Sequence, residues 1–277
     1  MKTYSIIVML ATLFIACTHK VNSNNMKETN ETQVIIETTE GNIIVKLYDE
    51  TPLHKENFLK LVKEGAYDST LFHRVIKNFM IQAGDPQSKN ASDTATLGGG
   101  DVGYTVPAEI VPALYHKQGA LAAARMGDDV NPQRASSGCQ FYIVTGKVFT
   151  EAQLTNLENR MNEALRDTIF NRLVTPHRKE ILLMRKEGDQ AGLMQLQDSL
   201  EAEARRIVAE KPAVKFTAEQ RKTYTTQGGT PHLDGAYTVF GEVVSGLDIA
   251  LKIAEVETGV ADRPKKDVRI LKATVKE

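Results

Sequence analysis

The chain has 277 residues, of which 42% are apolar and 25% charged, with a formal net charge of -1 and two cysteines. That length can bury a full core, either as one large domain or as one domain carrying an extra module. The balanced charge gives no electrostatic reason to expect nucleic acid, whose binders concentrate basic residues on one face, so it is set aside as a partner.

The first residues read as an export segment: Lys2, an apolar run from Ile6 to Ala16, then Cys17. The run has the charge, length and small residue before the cut of a secretory signal, and it is too short to span a bilayer as a helix. Phe14-Ile15-Ala16-Cys17 resembles the lipobox of bacterial lipoproteins, in which the cysteine becomes the lipidated first residue, although Phe14 replaces the usual Leu. An ordinary cleaved signal with a chance cysteine is the other reading. Residues 1–16 are thus expected to be a signal peptide, and 17–31, rich in Asn, Ser, Thr and Lys, a flexible tether. With Cys17 acylated, only Cys139 remains and no internal disulfide can form.

Val34 to Tyr48 reads as a β-hairpin around Gly41-Asn42, with Ile43, Val45 and Leu47 on one face. Thr51 and Pro52 suit the N-cap and first residue of a helix whose apolar stripe is Phe58, Leu61 and Val62, with Gly65 placed to stop it. The stretch from Leu71 to Pro86 organises the rest. Phe72, Arg74 and Ile76 share one parity of an extended segment, Phe79 to Ile81 adds a second apolar patch, and Gly84-Asp85-Pro86 is a turn. A guanidinium then stands at the rim of a hydrophobic patch, while His73 points to the opposite face and reads as a satisfied structural histidine. Gly98-Gly99-Gly100 lacks the following Lys-Ser/Thr helix of a phosphate loop and reads as a surface loop. Phe141 to Thr145 is a strand.

From 150 to about 209 the character changes, with Leu154, Leu157, Met161 and Leu165, then Leu193, Leu196, Leu200, Ala204 and Ile207 at helical spacing. Gly188-Asp189 between the stripes predicts a helical hairpin, and Pro176 kinks or restarts its first arm. A strand at Phe240–Val244, a helix at Leu247–Ala254 and a closing strand at Val268–Val275 follow.

Three separated motifs resemble, in family order, those of the cyclophilin-type peptidyl-prolyl isomerases: Phe72-His73-Arg74-Val75-Ile76 with Phe79-Met80-Ile81-Gln82-Ala83-Gly84-Asp85-Pro86, then Ser137 to Ile143, then Leu233 to Gly241. The resemblance implies a mainly β fold: a closed eight-stranded barrel, over 32–149 and 225–277, capped by two helices. Residues 150–224 are an inserted helical hairpin, where most members have a short connection. It implies an enzyme without cofactor or metal, acting on proline-containing polypeptides, with Arg74 as the catalytic donor. Phe79, Met80, Tyr142 and Leu233 match the lining of the proline pocket, and Gln82 matches a hydrogen-bond donor to substrate backbone. Ala124 and Arg125 match the edge where the residue before proline lies, and Gln140 a site-lining amide. His232 stands where many eukaryotic members have Trp and Tyr237 where they have His, a bacterial pattern that implies weak cyclosporin binding. The histidines show no ligand spacing with a nearby third partner, and Cys139 stands alone, which argues against zinc and thiol chemistry.

Taken together, the expectation is a monomeric isomerase that speeds folding of exported proteins, lipid-anchored through Cys17 in a bacterial envelope at the outer membrane facing the periplasm. The competing function is an envelope chaperone that uses the same pocket to bind peptide, with incidental turnover. The hairpin reads equally as a client-binding arm or an inert insertion.

Overall fold

The computed structural model describes residues 31–276, so the signal segment, Cys17 and nearly all of the tether lie outside the described residues. The chain opens with strands β1 (Gln33–Thr38) and β2 (Gly41–Leu47), whose alternation buries Val34, Ile36, Ile43, Val45 and Leu47. The turn falls at Thr39–Glu40, and the expected turn residue Gly41 already pairs with Thr38, because the apolar register fixes the ladder. Helix α1 (Pro52–Lys63) starts at Pro52 as expected, but the Thr51 hydroxyl makes no capping bond. The Glu109 carboxylate replaces it from far along the chain, accepting from the amides of Leu53 at 3.1 Å and His54 at 2.9 Å.

Next come β3 (Arg74–Ile76), β4 (Met80–Ala83), β5 (Thr105–Val106), β6 (Ala120–Ala123), β7 (Ser136–Ser137) and β8 (Phe141–Val144). The helical segment holds α2 (Glu151–Val174), α3 (Arg178–Glu187), α4 (Gln190–Ala209) and α5 (Ala218–Thr226). The chain ends in β9 (Val239–Ser245), α6 (Leu247–Ile253) and β10 (Ile270–Lys276).

Eight strands form one curled antiparallel sheet in the order β10-β1-β2-β9-β6-β8-β4-β3, and β5 pairs with β7 apart from it. The expected closed barrel is met in this coarser form: end strands β3 and β10 share no ladder. Only three residues long, β3 is cut short by the turn in which Asn78 adopts φ 59°. Where the sheet ends approach, Leu71 and Arg269 make a single bridge and the Phe72 amide donates to Val268 at 2.9 Å. The inner face packs Leu121, Phe141, Ile143 and Ile81 against α1 through Phe58, Leu61 and Val62, and against α6 through Ala250 and Ile253.

The hairpin forms as its spacing predicts, in two arms. The first is α2, a 3-10 turn at Thr175–His177 that contains Pro176, and α3; the second is α4. Gly188 ends α3 in the left-handed conformation at φ 74°. Leu154, Leu157, Leu200 and Ala204 are buried along the predicted stripes. Helix α5, which the sequence reading missed, fixes the base of the hairpin. Buried Glu158 on α2 accepts from the Phe216 amide at 2.7 Å and from Arg221 on α5 at 2.6 Å.

Candidate active site

Pleating sorts the sheet into two faces. Opposite the core, Arg74 pairs with Gln82, Gln82 with Tyr142, and Tyr142 with Ala122, so these four share one row and one face. The next row along that face brings Ile76 opposite Met80 and Met80 opposite Val144. Met80, Tyr142, Val144, Ala120, Ala122 and Val239 form a separate apolar cluster, against which Phe79, Ala124, Leu233 and Tyr237 pack. Segments more than 150 residues apart thus converge on one patch, and Arg74 lies at its edge.

Arg74 is 44% exposed, and its Nε donates to the Asp262 carboxylate at 3.3 Å. A cleft of about 830 Å³ opens beside Arg74 and Gln82, walled by 93–98 and 259–265. The Gln82 amide donates to the Gln140 side-chain oxygen at 2.9 Å, and Gln140 donates in turn to the carbonyls of Gly98 at 3.0 Å and Gly100 at 2.8 Å. At the other end of the patch the His232 ring stacks on Phe79, with centroids 5.5 Å apart. Arg125 is a clamp: it donates to Ala236 at 2.8 Å and lies 4.4 Å from the Tyr237 ring centroid. Ala124 has both backbone groups occupied, its amide donating to Gln140 and its carbonyl accepting from Ser137.

A profile of the family described as cyclophilin type peptidyl-prolyl cis-trans isomerase/CLD matches residues 33–188 and 215–275. The chain belongs to this family. Among relatives, a Staphylococcus saprophyticus protein named as a peptidyl-prolyl cis-trans isomerase is 32% identical over 87% of this chain and 90% of its own length. A longer Streptococcus pyogenes protein, named as a bifunctional phosphatase and peptidyl-prolyl cis-trans isomerase, is 30% identical over 86% of this chain, which spans only 37% of that protein. The fold matches a crystal structure of a Cryptosporidium parvum cyclophilin type isomerase with a TM-score of 0.51 at 18% identity, covering 89% of this chain and 98% of that one.

All the residues carried over from the cyclophilin motifs lie on or around this one face. The sequence reading missed the layer behind it. The His116 ring joins the Tyr142 hydroxyl at 3.0 Å to the Asp234 carboxylate at 2.9 Å, and Asp234 accepts from the Tyr224 hydroxyl of α5 at 2.6 Å. A chain of hydrogen bonds therefore runs from α5 to the pocket floor. His116 and Tyr224 lie outside the three motifs, and nothing in the sequence spacing marks them as neighbours of Tyr142 and Asp234. His73 is buried but does not face away from Arg74 as alternation predicts: it precedes β3 and, with Arg74, Gln82 and Gly98, lines the same cleft, and neither ring nitrogen has a hydrogen-bond partner among the described residues. The expected satisfied histidine is thus held by packing alone. Burial pushes the Cys139 thiol up to about 11, far from a nucleophile at neutral pH.

Buried Asp85 organises the loop behind Gln140. Its carboxylate accepts from the amides of Gly98 at 2.6 Å, Gln87 at 2.7 Å and Gly100 at 3.4 Å. Gly100 is required there, since a Cβ would lie 2.0 Å from the Asp85 oxygen. Asp85→Ala leaves these amides without their acceptor, at an expected cost of about 2–3 kcal/mol. Equilibrium denaturation reads that loss, and because the loop carbonyls that hold Gln140 move with it, catalytic efficiency falls as well.

Stability should also depend on two buried histidines. Burial lowers His54 from its ordinary 6.5 against the pull of Glu109, and lowers His73 from 6.5 against the pull of Asp85. Below 6.5 the unfolded chain takes up protons that the folded chain resists, so this contribution is complete above pH 6.5 and declines as the pH falls. The denaturation midpoint should therefore be lower at pH 5.5 than at pH 7.5. An unchanged midpoint would contradict the assignment.

Proposed function

We propose that this cyclophilin isomerises X-Pro bonds by holding the proline ring on the Phe79–Met80–Tyr142–Leu233 patch while Arg74 stabilises the twisted amide. Resonance opposes rotation with a barrier of roughly 18–20 kcal/mol. No covalent bond need break, so the task is to bind the twisted amide better than either planar form. As the amide twists, its nitrogen becomes pyramidal and gains a lone pair. A fixed guanidinium at the rim of an apolar patch can donate to that lone pair.

The observation that carries this reading is the cross-strand row of Arg74, Gln82, Tyr142 and Ala122, which sets a donor, an amide and an apolar floor on one face. Gln82, held by Gln140, is placed to hydrogen-bond the substrate backbone. Because the backbone of Ala124 is already paired, contact with the residue before proline falls to the Arg125 side of that segment. Isomerisation of a proline tetrapeptide by the wild-type chain tests the activity; absence of turnover would reject it.

A second reading has one observation in its favour. Leu182, Leu183 and Met194, near the hairpin turn, are exposed to 70%, 54% and 68%. Residues 150–224, which make up the insertion in this proposal, would hold unfolded client through that tip while the pocket works. Replacing Leu182 and Leu183 with Glu should then slow a proline-limited refolding reaction and spare tetrapeptide turnover.

The proposed setting is the bacterial envelope, at the outer membrane facing the periplasm, where a lipid on Cys17 anchors a monomer that assists exported proteins. The support is the sequence of the first 17 residues, with no acidic residue directly after Cys17. A Cys17→Ser chain should become soluble or stay unprocessed. Unchanged fractionation would reject the anchor.

A further inference from the structure

The sheet gives the site a direction. Ala124, bonded to the Gln140 carbonyl at 3.0 Å, lies at the start of β8, whereas Met80 pairs with Val144 at its end and the Phe79 carbonyl accepts from Thr145 and Gly146 just beyond. The four residue steps from Gln140 to Val144 cover roughly 13 Å. On the proposed function, on which this inference rests, the residue before proline lies by Ala124–Arg125. The chain after proline then leaves past Phe79 and His232.

Just beyond that stacked pair, α2 and the rim enclose a groove of about 470 Å³. Its apolar floor is Phe149, Leu157, Met161 and Ala164, its cationic side is Lys147 and Arg160, and His232 belongs to its wall as well as to the Phe79 stack. No carboxylate lines it among the described residues. We infer that this groove is a substrate subsite, which takes the polypeptide segment immediately after the isomerised proline and favours a large apolar side chain next to an acidic one. The apolar floor supplies the contact area, and the two cations complement a carboxylate. Helix α2 thereby supplies selectivity that the sheet face alone lacks.

The test uses the full chain and three labelled peptides: a proline tetrapeptide, the same peptide extended by Leu and Glu residues after the proline, and one extended by those residues before it. Binding is read by fluorescence anisotropy and turnover by isomerisation kinetics. The wild type should bind the peptide extended after proline about tenfold tighter than the other two. Arg160→Glu combined with Met161→Gln should abolish that preference and leave tetrapeptide turnover unchanged. Equal binding of the two extended peptides by the wild type overturns the inference. It is also overturned if the double variant keeps the preference, or if tetrapeptide turnover falls as much as binding. Failure of the isomerase reading has a different signature, in that no peptide is turned over. The anisotropy preference still reports on the groove in that event.

Discussion

Arg74→Ala should lower catalytic efficiency on a proline tetrapeptide by about a hundredfold to a thousandfold, the usual cost of losing one preorganised transition-state donor. The same change should hardly touch stability. Arg74 is 44% exposed and its partner Asp262 is 45% exposed, and an ion pair at such a surface contributes about 0–1 kcal/mol. Fold and function therefore separate at this residue, because its aliphatic stem fills no core and its head lies at the edge of the cleft. Arg74→Lys sharpens the comparison. It keeps the charge but loses the planar fork, so a lysine variant as weak as the alanine variant indicates that donor geometry matters more than charge. Near-wild-type efficiency in the alanine variant would remove Arg74 from the mechanism. Melting curves on the same preparations exclude an effect through the fold.

The largest loss of stability is expected at Tyr224, which no sequence motif marks. Its side chain is fully buried between Phe216 and Tyr115, with ring centroids at 5.8 Å and 5.7 Å, and its hydroxyl donates to Asp234 at 2.6 Å. Gly229 packs against the ring so closely that a Cβ there would lie 2.6 Å from it. Tyr224→Ala opens a cavity in this junction and removes a donor to a carboxylate, at an expected cost of about 3–5 kcal/mol. For a chain of this size that lowers the melting temperature by roughly 10 °C. Tyr224→Phe keeps the ring and loses only the hydrogen bond, so it should cost about 1.5–3 kcal/mol. It should also slow catalysis, because Asp234 holds His116 and His116 holds the Tyr142 hydroxyl on the pocket floor. An alanine variant that melts within a degree or two of wild type would mean that α5 is not docked on the sheet domain through this residue.

Local rules determined much of this protein from sequence alone. Alternation in Ile43, Val45 and Leu47 fixed which face of β2 is buried, since the strand period of two leaves no other choice. Pro52 marked the start of α1 and Gly188 the hairpin turn, because each backbone suits few other positions. The three spaced motifs named the family, and alternation divides their residues between the core, with Val75, Ile81, Phe141 and Ile143, and the site face, with Ile76, Met80 and Tyr142, because a strand motif carries its own period of two into the sheet.

Tertiary structure alone decided what depends on partners far apart in sequence. The cap on α1 comes from Glu109, more than 50 residues away, so Thr51 looked sufficient when it was not. The sheet stops short of a continuous barrel because the segment that meets β10 is the irregular stretch before β3, which makes one bridge, Leu71 to Arg269, and scattered amide bonds in place of a ladder. His116, Asp234 and Tyr224 lie in three segments, which come together where Gly229 packs against both the His116 carbonyl and the Tyr224 ring and the Thr230 amide donates to His116 at 2.8 Å. Sequence spacing records which residues share an element. It does not record which elements touch, and the layer behind the pocket is built from those contacts.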